Sequence, residues 1–340
     1  MTSSLHHWLT QAHALGASDL HLSAGVPPMA RVHGELQVLQ TEAVCSEQLR
    51  SLLHDALPDW PQTPDHDCAV DWPALGRCRV NVFAQARGWS SVWRFIPSKV
   101  PTLEAVGAPP ALSDWVRHPH GLVLVTGATG SGKSTTLAAL LHHLNTTQAL
   151  HILTLEDPIE FVHASHRSLV QQRSVPGHSS SFETALRAAL RQDPDVILVG
   201  ELRDLPTVRL ALSAAETGHL VLATLHTRSA TQAVERLVDV FPSEDKALVR
   251  QQLSLSLLGV LTQTLCRRAD GLGRVAAHEV LFATPAVRNL IREGKTSQLP
   301  NVLQTSAQQG MQTLVQSLTS LLSQGLIDAK EASKIQLSSS

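Results

Sequence analysis

Gly127-Ala128-Thr129-Gly130-Ser131-Gly132-Lys133-Ser134-Thr135 is the stretch whose reading decides the fold of most of this chain. It follows the apolar run Leu122–Val125 and leads into Thr136-Leu-Ala-Ala-Leu-Leu141, a good helix-forming segment. Strand, glycine loop and helix with G-x-x-x-x-G-K-S spacing make a phosphate-binding loop. The glycines let the backbone approach phosphate oxygens in conformations that a Cβ would obstruct. Successive N–H groups and the helix N-terminus then form an anion cradle. Gly127, Thr129, Gly130, Ser131, Gly132 and Thr135 are expected to line the phosphates of a nucleoside triphosphate. Lys133 is expected to reach the β/γ-phosphates, with the Ser134 hydroxyl on Mg2+. A glycine turn with a surface lysine is the plainer alternative, but strand and helix stand where the phosphate mechanism needs them.

Outward from that loop, 340 residues leave room for about two domains. The apolar fraction of 43% suits globular cores, and no run is long and uncharged enough for a membrane span. The start, Met1-Thr-Ser-Ser-Leu-His-His7, lacks the basic and apolar regions of an export signal. A net charge of −2 with interspersed signs argues for neither nucleic acid nor anionic lipid as partner. Cys45, Cys68, Cys78 and Cys266 form no C-x-x-C pair, so they read as reduced thiols in a cytosolic protein, with no zinc expected. Histidine pairs such as His6-His7 and His142-His143 read as solvated side chains, since adjacent helical residues point in different directions.

Before the loop, residues 4–15 and 46–57 read as helices, and Asp19–Ser23 and Met29–His33 as strands around Gly25-Val-Pro-Pro28. The Pro- and Asp-rich stretch 58–73 reads as loop. Gly76–Phe83 and Trp89–Ile96 alternate polar and apolar residues about a turn at Ala86-Arg87-Gly88, which is hairpin patterning. Arg79, Arg87 and Arg94 on this hairpin fit a solvated strand face. They also fit a set that reaches an anionic ligand of a neighbouring subunit. Breakers at Pro97, Pro101 and Pro109-Pro110 place a linker over 98–112, between an N-terminal domain of residues 1–97 and a second domain of residues 113–340.

After Trp115, apolar runs (Leu122–Val125, Ile152–Leu155, Val196–Val199, Leu220–Ala223) alternate with helical segments. Continuous apolarity fits strands buried on both faces of a mostly parallel sheet. Ser180-x-x-Glu183 and Ser229-x-x-Gln232 read as capping boxes. Ligands of such sheets sit at the carboxyl ends of the strands. Three polar clusters follow or flank strands there: Glu156-Asp157-Pro-Ile-Glu160, Gly200-Glu201-Leu-Arg203-Asp204, and His219 with Leu225-His226-Thr227. Each alone fits a cap or a surface ion pair. Together they supply what phosphoryl transfer to water needs: a metal site, a carboxylate that orients water, and a sensor of the γ-phosphate. Asp195 stands at the wrong end of its strand to touch phosphate and reads as a turn residue.

Four of these stretches, in order, resemble the Walker A, Asp box, Walker B and His box of the secretion ATPases, the motors of type II secretion and type IV pili. They are Gly127–Thr135, Leu155–His163, Asp193–Asp204 and Thr217–Thr227. Ala17–Pro28 and Thr284–Gly294 resemble the pilus-retraction, or PilT-type, branch. The resemblance implies an α/β RecA-like ATPase domain with a mostly parallel sheet, behind a smaller α+β PAS-like domain. It implies a homohexamer with ATP bound between the domains and Mg2+ as cofactor, completed by two arginines from a neighbouring subunit, which match Arg79 and Arg94. By the same resemblance Glu160 is the general base and Glu201 orients metal or water, two roles open to exchange. His226 and His219 would sense the γ-phosphate. The implied location is the cytoplasmic face of the inner membrane, against a pilus platform protein and with a paralogous retraction ATPase as a further partner.

Within 284–294, Val287, Leu290 and Ile291 fit the buried face of a short helix, leaving Arg288 and Arg292 to share its solvent face. Extension and secretion ATPases usually carry a longer N-terminal region and a four-cysteine zinc motif that this sequence lacks. A PilU-like accessory motor is the nearer rival, opposed by the match at 284–294. A ring scaffold that hydrolyses little is opposed by Lys133, Glu160, Glu201 and His226 together.

Overall fold

The computed structural model describes residues 4–32, 34–57, 64–72, 74–96, 99–175 and 177–339. The chain falls into two compact units, residues 1–99 and 100–340. His33, residues 58–63, Pro73 and Pro97-Ser98, which bear on the strand, loop and linker expectations, lie outside the described residues, as does the start of the chain up to Ser3.

In the first unit, helix α1 (Ser4–Ala14) buries Leu5, Trp8, Leu9 and Ala12, an i, i+3, i+4, i+7 stripe. Strands β1 (Asp19–Ser23), β2 (Met29–Val32) and β3 (Glu35–Val38) precede helix α2 (Ser46–Ala56) and strands β4 (Asp65–Trp72), β5 (Gly76–Gln85) and β6 (Gly88–Phe95). They form one antiparallel sheet, ordered β3-β2-β1-β6-β5-β4. Leu20, Leu22, Cys78, Val80, Val82 and Trp93 point from it into one core with the helices, so alternation along each strand leaves the opposite face polar. β4 corrects the loop expected over 58–73. Its Cys68, Val70 and Trp72 pack on that core, while Asp67 and Asp71 face outward to Arg79 and Arg77 at 3.7 and 3.1 Å. Aspartate is rare in strands, but an edge strand with one wet face tolerates it when cross-strand arginines stand opposite.

In the second unit, α3 (Ala111–Trp115) precedes β7 (Gly121–Thr126), and the glycine loop leads into α4 (Lys133–Thr147). Then come β8 (His151–Glu156), β9 (Leu169–Ser174), α5 (Phe182–Ala189), β10 (Val196–Val199), α6 (Leu205–Glu216), β11 (Leu220–Leu225), α7 (Ala230–Asp239) and α8 (Lys246–Ser256). A long hairpin of β12 (Leu257–Arg267) and β13 (Arg274–Phe282) is followed by α9 (Pro285–Glu293), α10 (Leu299–Thr305), α11 (Leu314–Ser323) and α12 (Ala329–Ser339). The sheet order is β13-β12-β7-β11-β10-β8-β9, parallel throughout except for the β12–β13 edge. Along β7, Leu122 and Leu124 join one core cluster while Val123 and Val125 join the other. That two-sided burial is why the strand reads as a continuous apolar run. The breaker-rich segment before α3 also packs, with Leu103 and Ala108 against the second of these clusters.

Candidate nucleotide site

The register of the sheet brings the carboxyl ends of four strands level. Thr126 pairs with Leu225 on one side and Thr262 on the other, and Val199 pairs with both Ala223 and Leu155. Past Thr126 the chain turns through Gly127, Gly130 and Gly132 at φ 141°, 79° and 88°. These are left-handed conformations that favour glycine. The loop passes into α4 at Lys133, and Ser131 Oγ is buried with no hydrogen-bond partner among the described residues. A glycine-lined turn with an unspent hydroxyl at a helix N-terminus suits a phosphate chain. Lys133 is itself buried, donating to the carbonyls of Gly127 (2.8 Å) and Ala128 (3.0 Å). Burial lowers its pKa from the usual lysine range, and the charges of Glu201 and then Glu160 oppose that shift. Both carboxylates therefore lie within electrostatic reach of the ammonium.

Glu201 follows β10, whose end is tied on both sides. Gly200 N–H donates to Leu155 O (2.7 Å), Leu202 N–H to Thr224 O (3.1 Å), and the Thr224 hydroxyl to Gly200 O. A Cβ on Gly200 would stand 3.0 Å from Leu155 O, a tight approach at the position where an acidic pair is usual. Glu201 is paired with Arg203 and stands 3.5 Å from His226 Nε2. Burial and the nearby Lys133 hold the His226 pKa below the usual histidine value, against the opposing charge of Glu201. Glu201, Arg203, Thr224, His226, Thr227 and Arg236 line a cavity of about 290 Å³.

The turn after β8 is braced from within. Glu156 accepts from the Thr154 hydroxyl (2.6 Å), from Gln172 Nε2 (3.2 Å) and from the Glu160 backbone, and burial raises its pKa. Gln172 also donates to Phe161 O and accepts from His163 N–H, each at 2.8 Å. The segment that carries Glu160 is thus fastened to β9.

His219 does not join this group. It precedes β11, whose Leu220 pairs with Gly121, and its Nδ1 lies 3.2 Å from Ala214 O. At about 3.3 Å per residue, the length of a strand separates it from His226. Asp195 likewise sits at the amino end of its strand, where its carboxylate accepts His151 N–H at 2.7 Å. In the first unit, Arg79 and Arg94 are directly paired across β5 and β6, so their side chains share the outer face. Arg94 is held by buried Asp19 at 2.8 Å, and Arg79 lies 3.7 Å from Asp67.

One residue escaped the sequence reading and another was misplaced by it. Gln263 on β12, only 3% exposed, donates to Ser131 O (2.8 Å) and accepts from the Thr136 hydroxyl (2.7 Å). A polar residue inside a long apolar strand was its only signal. Arg288 in α9 is not on the solvent face. It donates to the carbonyls of Ala283, Ser254 and Leu255 at 2.8, 2.7 and 2.6 Å, closing the last turn of α8. Val287 and Ile291 are buried as expected and Leu290 partly so, while Arg292 donates to Asn289 Oδ1 on its own helix.

A glycine loop between a buried parallel strand and a helix, with carboxylates and a histidine at the same sheet edge, defines a P-loop nucleotide-binding protein. The chain belongs to the family described as Type II/IV secretion system protein, whose model matches residues 78–334. It is 52% identical to the type IV pilus retractation ATPase PilT of Pseudomonas aeruginosa, over 94% of this chain and 95% of that one. It is 48% identical to a twitching motility protein of Neisseria gonorrhoeae, over 97% and 93%. Among solved structures, the pilus retraction motor PilT with bound ADP superposes with a TM-score of 0.88 at 41% identity, covering 96% and 95%. Mixed α/β architecture with a mostly parallel sheet behind a smaller domain is common to them.

Proposed function

We propose that this chain is an ATPase motor that couples ATP hydrolysis to type IV pilus retraction. The observation that carries the reading is the sheet edge at which Lys133 feels both Glu201 and Glu160, in a chain similar from end to end to a retraction ATPase. Lys133 and the loop amides from Gly127 to Thr135 bind the phosphates. Ser134 and Glu201 are the residues suited to hold Mg2+, whose charge when bound offsets that developing on the phosphoryl oxygens. Glu160 takes the proton of the attacking water, and His226, oriented by Glu201, senses the γ-phosphate. Arg79 and Arg94, side by side on the outer sheet face, serve the site of a neighbouring subunit in a homohexamer. The ring works at the cytoplasmic face of the inner membrane against a pilus platform protein, with a paralogous ATPase as a further partner.

Lys133→Ala and Glu201→Gln are each expected to lower phosphate release at least about 100-fold while the circular dichroism spectrum is unchanged. Wild-type turnover in either variant would sink the site assignment. A strain without this chain should make pili that do not retract. Loss of surface pili altogether would point to extension instead.

A further inference from the structure

We propose that Gln263 is the positioning residue that holds the phosphate loop in its binding shape, so that nucleotide affinity depends on one side chain of β12. This rests on the nucleotide-site reading above and goes beyond it, because Gln263 belongs to none of the four boxes. Its amide spans the last turn of the loop and the first turn of α4, with one bond to Ser131 O and one from the Thr136 hydroxyl. All three residues are buried, at 3%, 7% and 1% exposure, so water does not substitute for the amide. Because a trans peptide is planar with its C=O and N–H pointing opposite ways, fixing Ser131 O toward β12 aims the Gly132 N–H away from β12 and into the loop. Without that bond the peptide is free to rotate, and a carbonyl oxygen turned inward would repel phosphate.

Two glycines of the loop also face this residue. A Cβ at Gly132 would lie 2.7 Å from Gln263 Nε2, and one at Gly127 would run into the Gln263 carbonyl. Glycine at these positions thus lets β12 come close, as well as permitting the positive φ. Glutamine supplies one donor and one acceptor at fixed separation, whereas glutamate has no donor and methionine no strong one.

The test uses the full chain, a fluorescent ADP derivative and steady-state ATP turnover. Gln263→Met, close in volume, should raise both the Kd for ADP and the KM for ATP about tenfold or more, with kcat changed less than about threefold. Gln263→Glu should weaken binding further, because its carboxylate faces the Ser131 carbonyl. Thr136→Val, which removes only the second bond, should raise Kd about threefold. Kd and KM within about twofold of wild type in folded Gln263→Met overturn the proposal, as does a variant that lowers Tm and leaves Kd unchanged. If Gln263→Met does not fold, wild-type Kd in both Gln263→Glu and Thr136→Val overturns it equally. Lys133→Ala separates the two levels. Binding lost there but intact in the Gln263 variants removes the positioning role alone, and binding intact in Lys133→Ala removes the nucleotide site beneath it.

Discussion

His278 in β13 is 6% exposed, and its Nε2 has no hydrogen-bond partner among the described residues. Burial pushes its pKa down to about 4, and burial likewise takes His163 to about 4, with a smaller push from His142. Both rings fold neutral but charge readily in the unfolded chain, whose histidines titrate near 6.5. The unfolded state therefore binds more protons between pH 6.5 and 4. Stability is full above about 6.5 and falls as pH drops toward 4, by about 3 kcal/mol for each ring. His278→Leu should flatten the slope of Tm against pH over that window, and an unchanged slope would refute this account. Legibility at this scale divides by mechanism. Lys133, Glu160, Glu201 and His226 are candidates legible in sequence because the chemistry proposed for them needs particular spacings after strands. Gln263 and Gln172 act by filling hydrogen bonds to segments distant in sequence, so their partners are not legible from their own neighbourhoods.

Arg288 ties two helices by their ends. α8 leaves the carbonyls of Ser254 and Leu255 for its guanidinium, which burial holds below its usual pKa. Arg288→Met keeps the stem and removes the donors, and it should cost about 2 kcal/mol of stability by chemical denaturation. Arg292→Ala should cost less than about 0.5 kcal/mol, as a surface change. Equal effects would contradict the clamp. Period alone had placed both arginines outside, since two residues four apart share a helix face but not a neighbour. Helix starts were legible to within a residue. α7 is capped by Ser229, though Gln232 accepts from Arg228 N–H in place of the Ser229 N–H that a capping box needs, whereas α5 is capped by Ser181 rather than Ser180, with Thr184 N–H as donor. The β12–β13 hairpin was missed because its long runs lack the alternation of a half-buried strand. Its register on β7 shifts between Leu257 and Gly259, where a Cβ on Gly259 would enter the Trp115 ring. Gly259→Ala should destabilise the fold by about 1–3 kcal/mol, read as a lower denaturation midpoint with unchanged slope.

At the scale of the whole molecule, the two units were legible as a change in period, from alternating strands before Ile96 to continuous apolar runs after Trp115. Which strands neighbour which was not, because parallel order depends on crossovers rather than on composition. The proposal that Arg79 and Arg94 complete a site on another subunit makes a prediction here. Arg79→Ala subunits mixed with Lys133→Ala subunits should regain a fraction of wild-type ATP turnover, since some interfaces then carry an intact Lys133 and an intact Arg79. A mixture as inactive as its parents would rule that arrangement out. The sheet order has one more consequence. Thr126 and Thr262 share a hydroxyl–hydroxyl contact of 2.8 Å although 136 residues separate them. At roughly 5–20 residues per second of synthesis, a ribosome that has just made the loop needs on the order of 10 s to make the strand that braces it. β7 lacks both flanking strands until β11 is made and one of them until β12 is made, and an unpaired apolar strand edge is a template for the wrong partner. β12 is therefore the strand that closes this edge, and any pause in translation before Leu257 lengthens the exposure.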